Sequence, residues 1–207
     1  MKFKLSLLTL ALCLSVGCLR SYNASPLSAA NVTTTTTHES GLELRSKAYL
    51  NPTEITDKFG AKLAEDRQVI PVQVLLINKG TNTYRVLRSN FVVEETSNRT
   101  KFDPLSGDQM YELGRHGYGA PVCGMIFFGI LGLPSLITTM NANEKLRDDY
   151  SRKTFVDSLV EPGKEATGSL MFDPSVQHLT RQGKYKLLVE VENTSTKAQI
   201  TREQALN

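Results

Sequence analysis

The chain has 207 residues with 24 Lys+Arg against 21 Asp+Glu, and setting residues 1–17 aside removes two Lys and no acid, leaving 22 against 21. So even a balance gives no electrostatic case for nucleic-acid binding. Of the three cysteines, Cys13 falls in the leader and Cys18 at its end, so Cys123 is left without an intrachain partner and the fold must hold by packing.

Residues 1–17 read as an export signal: Lys2 and Lys4 form a basic start, Leu5 to Leu14 an uncharged Leu-rich run, and Ser15 and Gly17 the small residues of a cleavage site. The run is shorter than the roughly 20 apolar residues a membrane span needs. Leu14-Ser15-Val16-Gly17-Cys18 resembles a lipobox, with Ser15 where Leu is usual, and lipidation is expected at Cys18. Two or three acyl chains, each CH₂ contributing about 0.8 kcal/mol, make a stable anchor. Leu19 follows in place of the Asp that usually retains Gram-negative lipoproteins in the inner membrane. By that resemblance the outer membrane is the expected address.

Residues 18–41 are polar and small, including the run Thr33 to Thr37, and are expected to form a lipidated Cys with a flexible tether. The domain is placed at 42–207. Leu42 to Leu50 suits a first strand. Pro52-Thr53-Glu54 opens a short helix carrying Ile55, Phe59 and Leu63 at i, i+4 and i+8, interrupted at Gly60. Val69 to Ile77 is the clearest strand. Asn78-Lys79-Gly80 turns it, Thr83 to Arg88 returns, and Phe91 to Glu95 is expected as a third strand.

Beyond Thr154, Phe155 to Val160 leads into the turn Glu161-Pro162-Gly163-Lys164-Glu165. Gly168 to Phe172 is another strand, stopped by Asp173-Pro174. In Lys184 to Glu192, Tyr185, Leu187, Val189 and Val191 alternate with polar residues, so one face is buried and one wet. The tail from Thr194 either adds an edge strand or frays. Asn-x-Ser/Thr triplets at Asn23, Asn31, Asn98 and Asn193 are read as chance in a Ser/Thr-rich bacterial chain.

Between the two β blocks, Tyr118 to Met140 is 23 residues without a charge. A single membrane crossing would put two halves of one domain on opposite sides of a bilayer, and Pro134 with Gly129 and Gly132 would break the helix. Two helices are expected instead, as a hairpin inserted at 118–153. Pro121 to Leu131 forms the first; the second starts at Pro134, runs to about Lys153, and carries a stripe of Leu136, Ile137, Met140, Leu146 and Tyr150. Asp148–Arg152 and Asp149–Lys153 are i,i+4 pairs on a solvated face. Three uses are open: packing on its own sandwich, entering lipid, or contacting a partner or a second copy. The candidate contact residues are Ile126, Phe127, Phe128, Ile130, Leu131, Leu133, Leu136 and Ile137. Cys123 is expected as a small buried apolar residue.

Pro71-Val72-x-Val74-x-x-x-Asn78 with Tyr84, then Pro162-Gly163-x-x-x-x-Gly168-x-x-x-Phe172, with Asn143-Glu144-Lys145-Leu146 behind the apolar insert, resembles a group of uncharacterised bacterial envelope lipoproteins. The resemblance runs from about Phe59 to Val191. It implies a mainly β fold, an immunoglobulin-like antiparallel β-sandwich interrupted by an apolar helical hairpin, and it brings no catalytic residue or cofactor.

His38, His116 and His178 are isolated and show no ligand spacing, and Gly-x-Ser-x-Gly, P-loop and His-Glu-x-x-His patterns are absent. The expectation is a non-enzymatic envelope lipoprotein, without metal or cofactor, acting as an interaction or structural module. Its partners would be the membrane, through the acyl chains on Cys18, and an envelope protein or a second copy through the hairpin. The alternative is a binding module for a small apolar ligand, with a pocket between hairpin and sandwich lined by Phe127, Phe128 and Leu131.

Overall fold

The computed structural model describes residues 22–32, 34–37, 41–65, 69–116, 133–174 and 183–206. Cys18, Cys123 and the expected contact residues Ile126, Phe127, Phe128, Ile130 and Leu131 lie outside them, as does the first helix of the expected hairpin.

The fold is mainly β, in two antiparallel sheets. The first joins β1 (Thr34–Thr37), β2 (Leu42–Ala48), β3 (Ile70–Asn78) and β7 (Glu165–Phe172), in that order. The second orders β5 (Lys101–Phe102), β4 (Tyr84–Glu95), β8 (Tyr185–Asn193) and β9 (Gln199–Leu206), with β6 (Ser158–Val160) also on β4. Alternation decides which side chains meet. Leu42 and Leu44 on β2, Val72, Val74 and Leu76 on β3, and Leu170 and Phe172 on β7 share one buried cluster with Tyr84, Val86, Phe91, Leu187, Val189 and Val191 of the second sheet. The two sheets therefore enclose a common core.

β3 is buried on both faces, with only Ile77 partly open. The cause is a layer of helices on the outer side of the first sheet: α1 (Pro52–Phe59), α2 (Ala61–Glu65), α3 (Gly107–Gly114) and α4 (Leu133–Lys153). Ile55, Phe59, Leu63, Met110, Leu146 and Tyr150 from these helices bury against Tyr49, Val69 and Met171 in a second cluster. The i, i+4, i+8 spacing of Ile55, Phe59 and Leu63 survives Gly60, which takes φ +94° between α1 and α2.

Asn78 closes the end of β3. Fully buried, its amide nitrogen donates to the carbonyls of Asn82 at 2.7 Å and Val160 at 2.8 Å, and its oxygen accepts from the Gly80 amide at 3.0 Å. Gly168 on β7 is the close approach: a Cβ there would lie 2.4 Å from Phe155 Cα. Asn98 and Asn193 shape tight turns, Asn98 accepting from the Thr100 amide at 2.9 Å and Asn193 from the Ser195 amide at 3.0 Å.

Several sequence expectations need correction. The two strands expected at Thr83–Arg88 and Phe91–Glu95 are one strand, β4, with a register shift between Val86 and Phe91 after which it resumes pairing with β8. Ser89 and Asn90 mark a bulge, not an end. Phe155 to Val160 is extended only over Ser158–Val160, because Phe155 is drawn instead into the amide–carbonyl contact of its nitrogen with Ser169 at 2.9 Å. α3 was not anticipated, although Ser106 and Gln109 form a capping box at its start. The tail adds the edge strand β9 on β8.

The tether expected at 18–41 also reads differently where it is described. β1 pairs with β2 from Thr34↔Ser46 to Thr37↔Glu43, and residues 22–32 lie against the helical layer. Composition undercounted two side chains, Tyr22 and Leu27, that find an apolar site already built by the helices.

Candidate functional site

α4 is a helix over the span expected from Pro134 to about Lys153, with Pro134 in its first turn. Its buried stripe is not the expected one. Thr139, Ala142, Asn143, Leu146, Tyr150 and Lys153 face inward, Leu136 is half-buried, and Ile137 and Met140 are 54% and 53% exposed. Helix phase is set by the strongest contacts, here Leu146 and Tyr150, and a rotation that buries them carries Ile137 and Met140 outward. Of the expected contact residues, Leu133 opens α4 and only Leu136 and Ile137 have described side chains.

Asn143 replaces an apolar contact with a two-way backbone clamp. Its oxygen accepts from the His116 amide at 2.7 Å and its nitrogen donates to the His116 carbonyl at 2.9 Å. The chain is thus fixed to α4 at His116, two positions before the uncharged run begins.

Among the described residues, a dense polar cluster lies where residues 22–32 cross the helical layer. Tyr22 donates its hydroxyl to Asp149 at 2.5 Å, and its ring meets Tyr150 edge-on with centroids 6.4 Å apart. Asp149 also pairs with Lys153 at 2.6 Å, and Lys153 donates to the Lys58 carbonyl at 2.5 Å. The ammonium lies 5.7 Å from the centre of the Phe59 ring. Ser25 adds two contacts to Asp57, its amide to the backbone carbonyl and its hydroxyl to the carboxylate, each 2.6 Å. Further along, Gln73 donates to the Ser28 carbonyl at 3.1 Å and accepts from the Tyr49 hydroxyl at 2.8 Å. Gly60 leaves room for this crossing, since a Cβ there would sit 2.8 Å from the Tyr22 ring.

Burial and partners act together on these groups. Burial first, then the hydrogen bond to Asp149, pushes the Tyr22 phenol well above its ordinary value, so it stays a donor throughout the neutral range. Burial likewise raises Tyr150, and it raises Tyr49 to about 12. It draws Lys153 down, against the opposing pull of Asp149. Asp57 is held low, first by the Ser25 hydroxyl and then by Lys58. Asp149 and Lys153, expected on a solvated face, are instead the centre of a clasp, with side chains only 18% and 7% exposed. Their i,i+4 spacing was legible; the partner Tyr22, 127 positions away, was not.

Two cavities flank the crossing segment. One of about 380 Å³ is lined by Pro26, Leu27, Gln73, Asp149, Lys153 and Gly168. The other, about 230 Å³, is lined by Tyr22, Thr56, Gly60, Lys62, His116 and Leu146. Both mix charged and apolar walls, unlike the apolar pocket of the alternative reading, whose Phe127, Phe128 and Leu131 lie outside the described residues. Among the described residues no group of three or more His, Cys, Asp or Glu could hold a metal, and no helix is long and apolar enough to cross a membrane.

No family model and no curated protein matches the chain. Three solved structures align with it at low similarity. The yjhA protein of Bacillus subtilis aligns with a TM-score of 0.44 at 11% identity, covering 90% of this chain and 99% of that one. ycdA of Bacillus subtilis subsp. subtilis str. 168 aligns with a TM-score of 0.42 at 14% identity over 83% of this chain. A functionally unknown protein of Listeria monocytogenes EGD-e gives 0.38 at 12% identity, covering 84% and 81%. This chain spans 38% of the length of ycdA.

Proposed function

We propose that this chain is a non-enzymatic envelope lipoprotein, anchored through acyl chains on Cys18 and serving as an interaction or structural module at the membrane surface. The observation that carries the reading is the leader: Lys2 and Lys4, the Leu-rich run to Leu14, small Ser15 and Gly17, then Cys18. The described structure is compatible with it, because the clasp at Tyr22 begins four positions after Cys18 and needs no longer linker. Leu19 favours the outer membrane of a Gram-negative cell, and the two sheets with their shared core favour an immunoglobulin-like arrangement. Ile126 to Leu131, with Leu133, Leu136 and Ile137, remain the proposed contact to lipid, to an envelope partner or to a second copy; exposed Ile137 supports this use.

The test is the mass of the mature chain expressed in a Gram-negative host with its native leader. Cleavage before Cys18 and the mass of two or three acyl chains are expected, with the protein in the membrane fraction. Cys18→Ser should leave the precursor uncleaved by the lipoprotein peptidase. An unmodified mature chain from the native sequence overturns the reading.

A further inference from the structure

We infer that the helical layer is the face this domain turns toward the lipid surface, and that the clasp at Tyr22 sets this orientation. The inference rests on acylation at Cys18. Tyr22 lies four positions after Cys18, a reach of at most about 14 Å fully extended. From Tyr22 onward the chain is held to the helices by the Asp149 hydrogen bond, the edge-on contact with Tyr150 and the two Ser25–Asp57 contacts. An anchor on so short a leash cannot let the domain tumble freely, because Tyr22 is fastened to the helices and not to a tether.

A second observation points the same way. Tyr22 and His116 line the same cavity, and the uncharged sequence from Tyr118 to Met140 starts two positions after His116. The acylated end and the stem of the apolar sequence therefore leave the described domain side by side, with His116 held in place by Asn143. The same layer carries Ile137 and Met140 on the exposed side of α4. The far face of the second sheet exposes Leu159 as well, so the orientation rests on the short reach from Cys18 and not on surface composition. Glu190 is exposed there, and Arg85, Glu192, Lys197, Lys186 and Glu203 form paired charges typical of a surface in water. Two sheets and a helical layer, each about 10 Å thick, put that face roughly 25 Å farther from the bilayer.

The experiment uses the full lipidated protein with Cys123→Ala, reconstituted into phosphatidylethanolamine–phosphatidylglycerol vesicles bearing a headgroup acceptor dye. A donor dye is placed at Ala61→Cys in α2 or at Glu190→Cys in β8, and energy transfer to the headgroups is measured. Transfer from position 61 is expected to exceed that from position 190 several-fold. Releasing the clasp with Tyr22→Ala and Asp149→Ala together should bring the two values toward each other. Equal transfer, or more from 190, in protein whose acyl mass is confirmed overturns this inference alone. Absence of acyl mass on Cys18 overturns both the inference and the proposed function.

Discussion

The clasp yields a quantitative expectation through its central ion pair. Asp149→Ala removes the acceptor of the Tyr22 hydroxyl and the partner of Lys153, leaving the ammonium with the Lys58 carbonyl. Breaking a buried pair by deleting one partner costs about 3–5 kcal/mol. The Asp149 side chain keeps 18% exposure, so water offsets part of the loss and the lower end, about 3 kcal/mol, is expected. Lys153→Met should cost less, about 1–2 kcal/mol, because its stem can still pack on Phe59 and Asp149 keeps the Tyr22 donor. The double variant removes both charges, so its cost should fall short of the sum by about 1.5 kcal/mol or more. Urea melts at neutral pH, compared at constant m, measure all four corners. A coupling below about 0.5 kcal/mol would mean that the pair behaves as an ordinary surface contact, and the clasp would lose its claim to hold the amino-terminal segment.

Two other perturbations bear on the frame behind the clasp. Gly168→Ala should cost about 3 kcal/mol or more by thermal or urea melt, since its Cβ would meet Phe155 Cα at 2.4 Å and backbone must move; a change below about 1 kcal/mol would refute the close approach. Glu43, buried on β2, is held below the ordinary 4.5 first by Lys79 and then by Arg45, so its contribution is present above that value and lost as pH falls through the lowered folded value. The melting temperature should therefore drop more steeply below about pH 4.5 in the parent than in Glu43→Gln, and parallel profiles would sink this assignment.

Local signals carried most of the β framework. The alternation in β8, the Gly60 break and the burial of Ile55, Phe59 and Leu63 were all readable, because each depends on neighbours within a few residues. Failures came where tertiary contacts decide. The Ser89-Asn90 break looked like a strand end because sequence does not reveal that β8 continues past a bulge. The phase of α4 was misread because Ile137 and Met140 are more apolar than Thr139 and Asn143, while the helix is anchored further along by Leu146 and Tyr150. Tyr22 was lost in a polar segment for a related reason. A single aromatic does not order a tether by composition, but one that meets a Gly60 notch and an Asp149 acceptor does.

That contrast also explains why the site is invisible in the chain while its frame is not. Each clasp member has an unremarkable local role: Asp57 and Lys58 at the end of α1, Asp149 and Lys153 one turn apart on α4, and Ser25 in a small-residue run. Only the first sheet, carrying α1 and α4 on its outer side, brings Asp57 and Asp149 within hydrogen-bond distance of one short segment. The segment in turn contributes a protonated phenol and a backbone amide, groups that keep their donor role across the neutral range. A contact built this way keeps its phenol donor through modest pH change. On the proposed acylation, the position of the domain relative to Cys18 would be set by the fold and not by a linker.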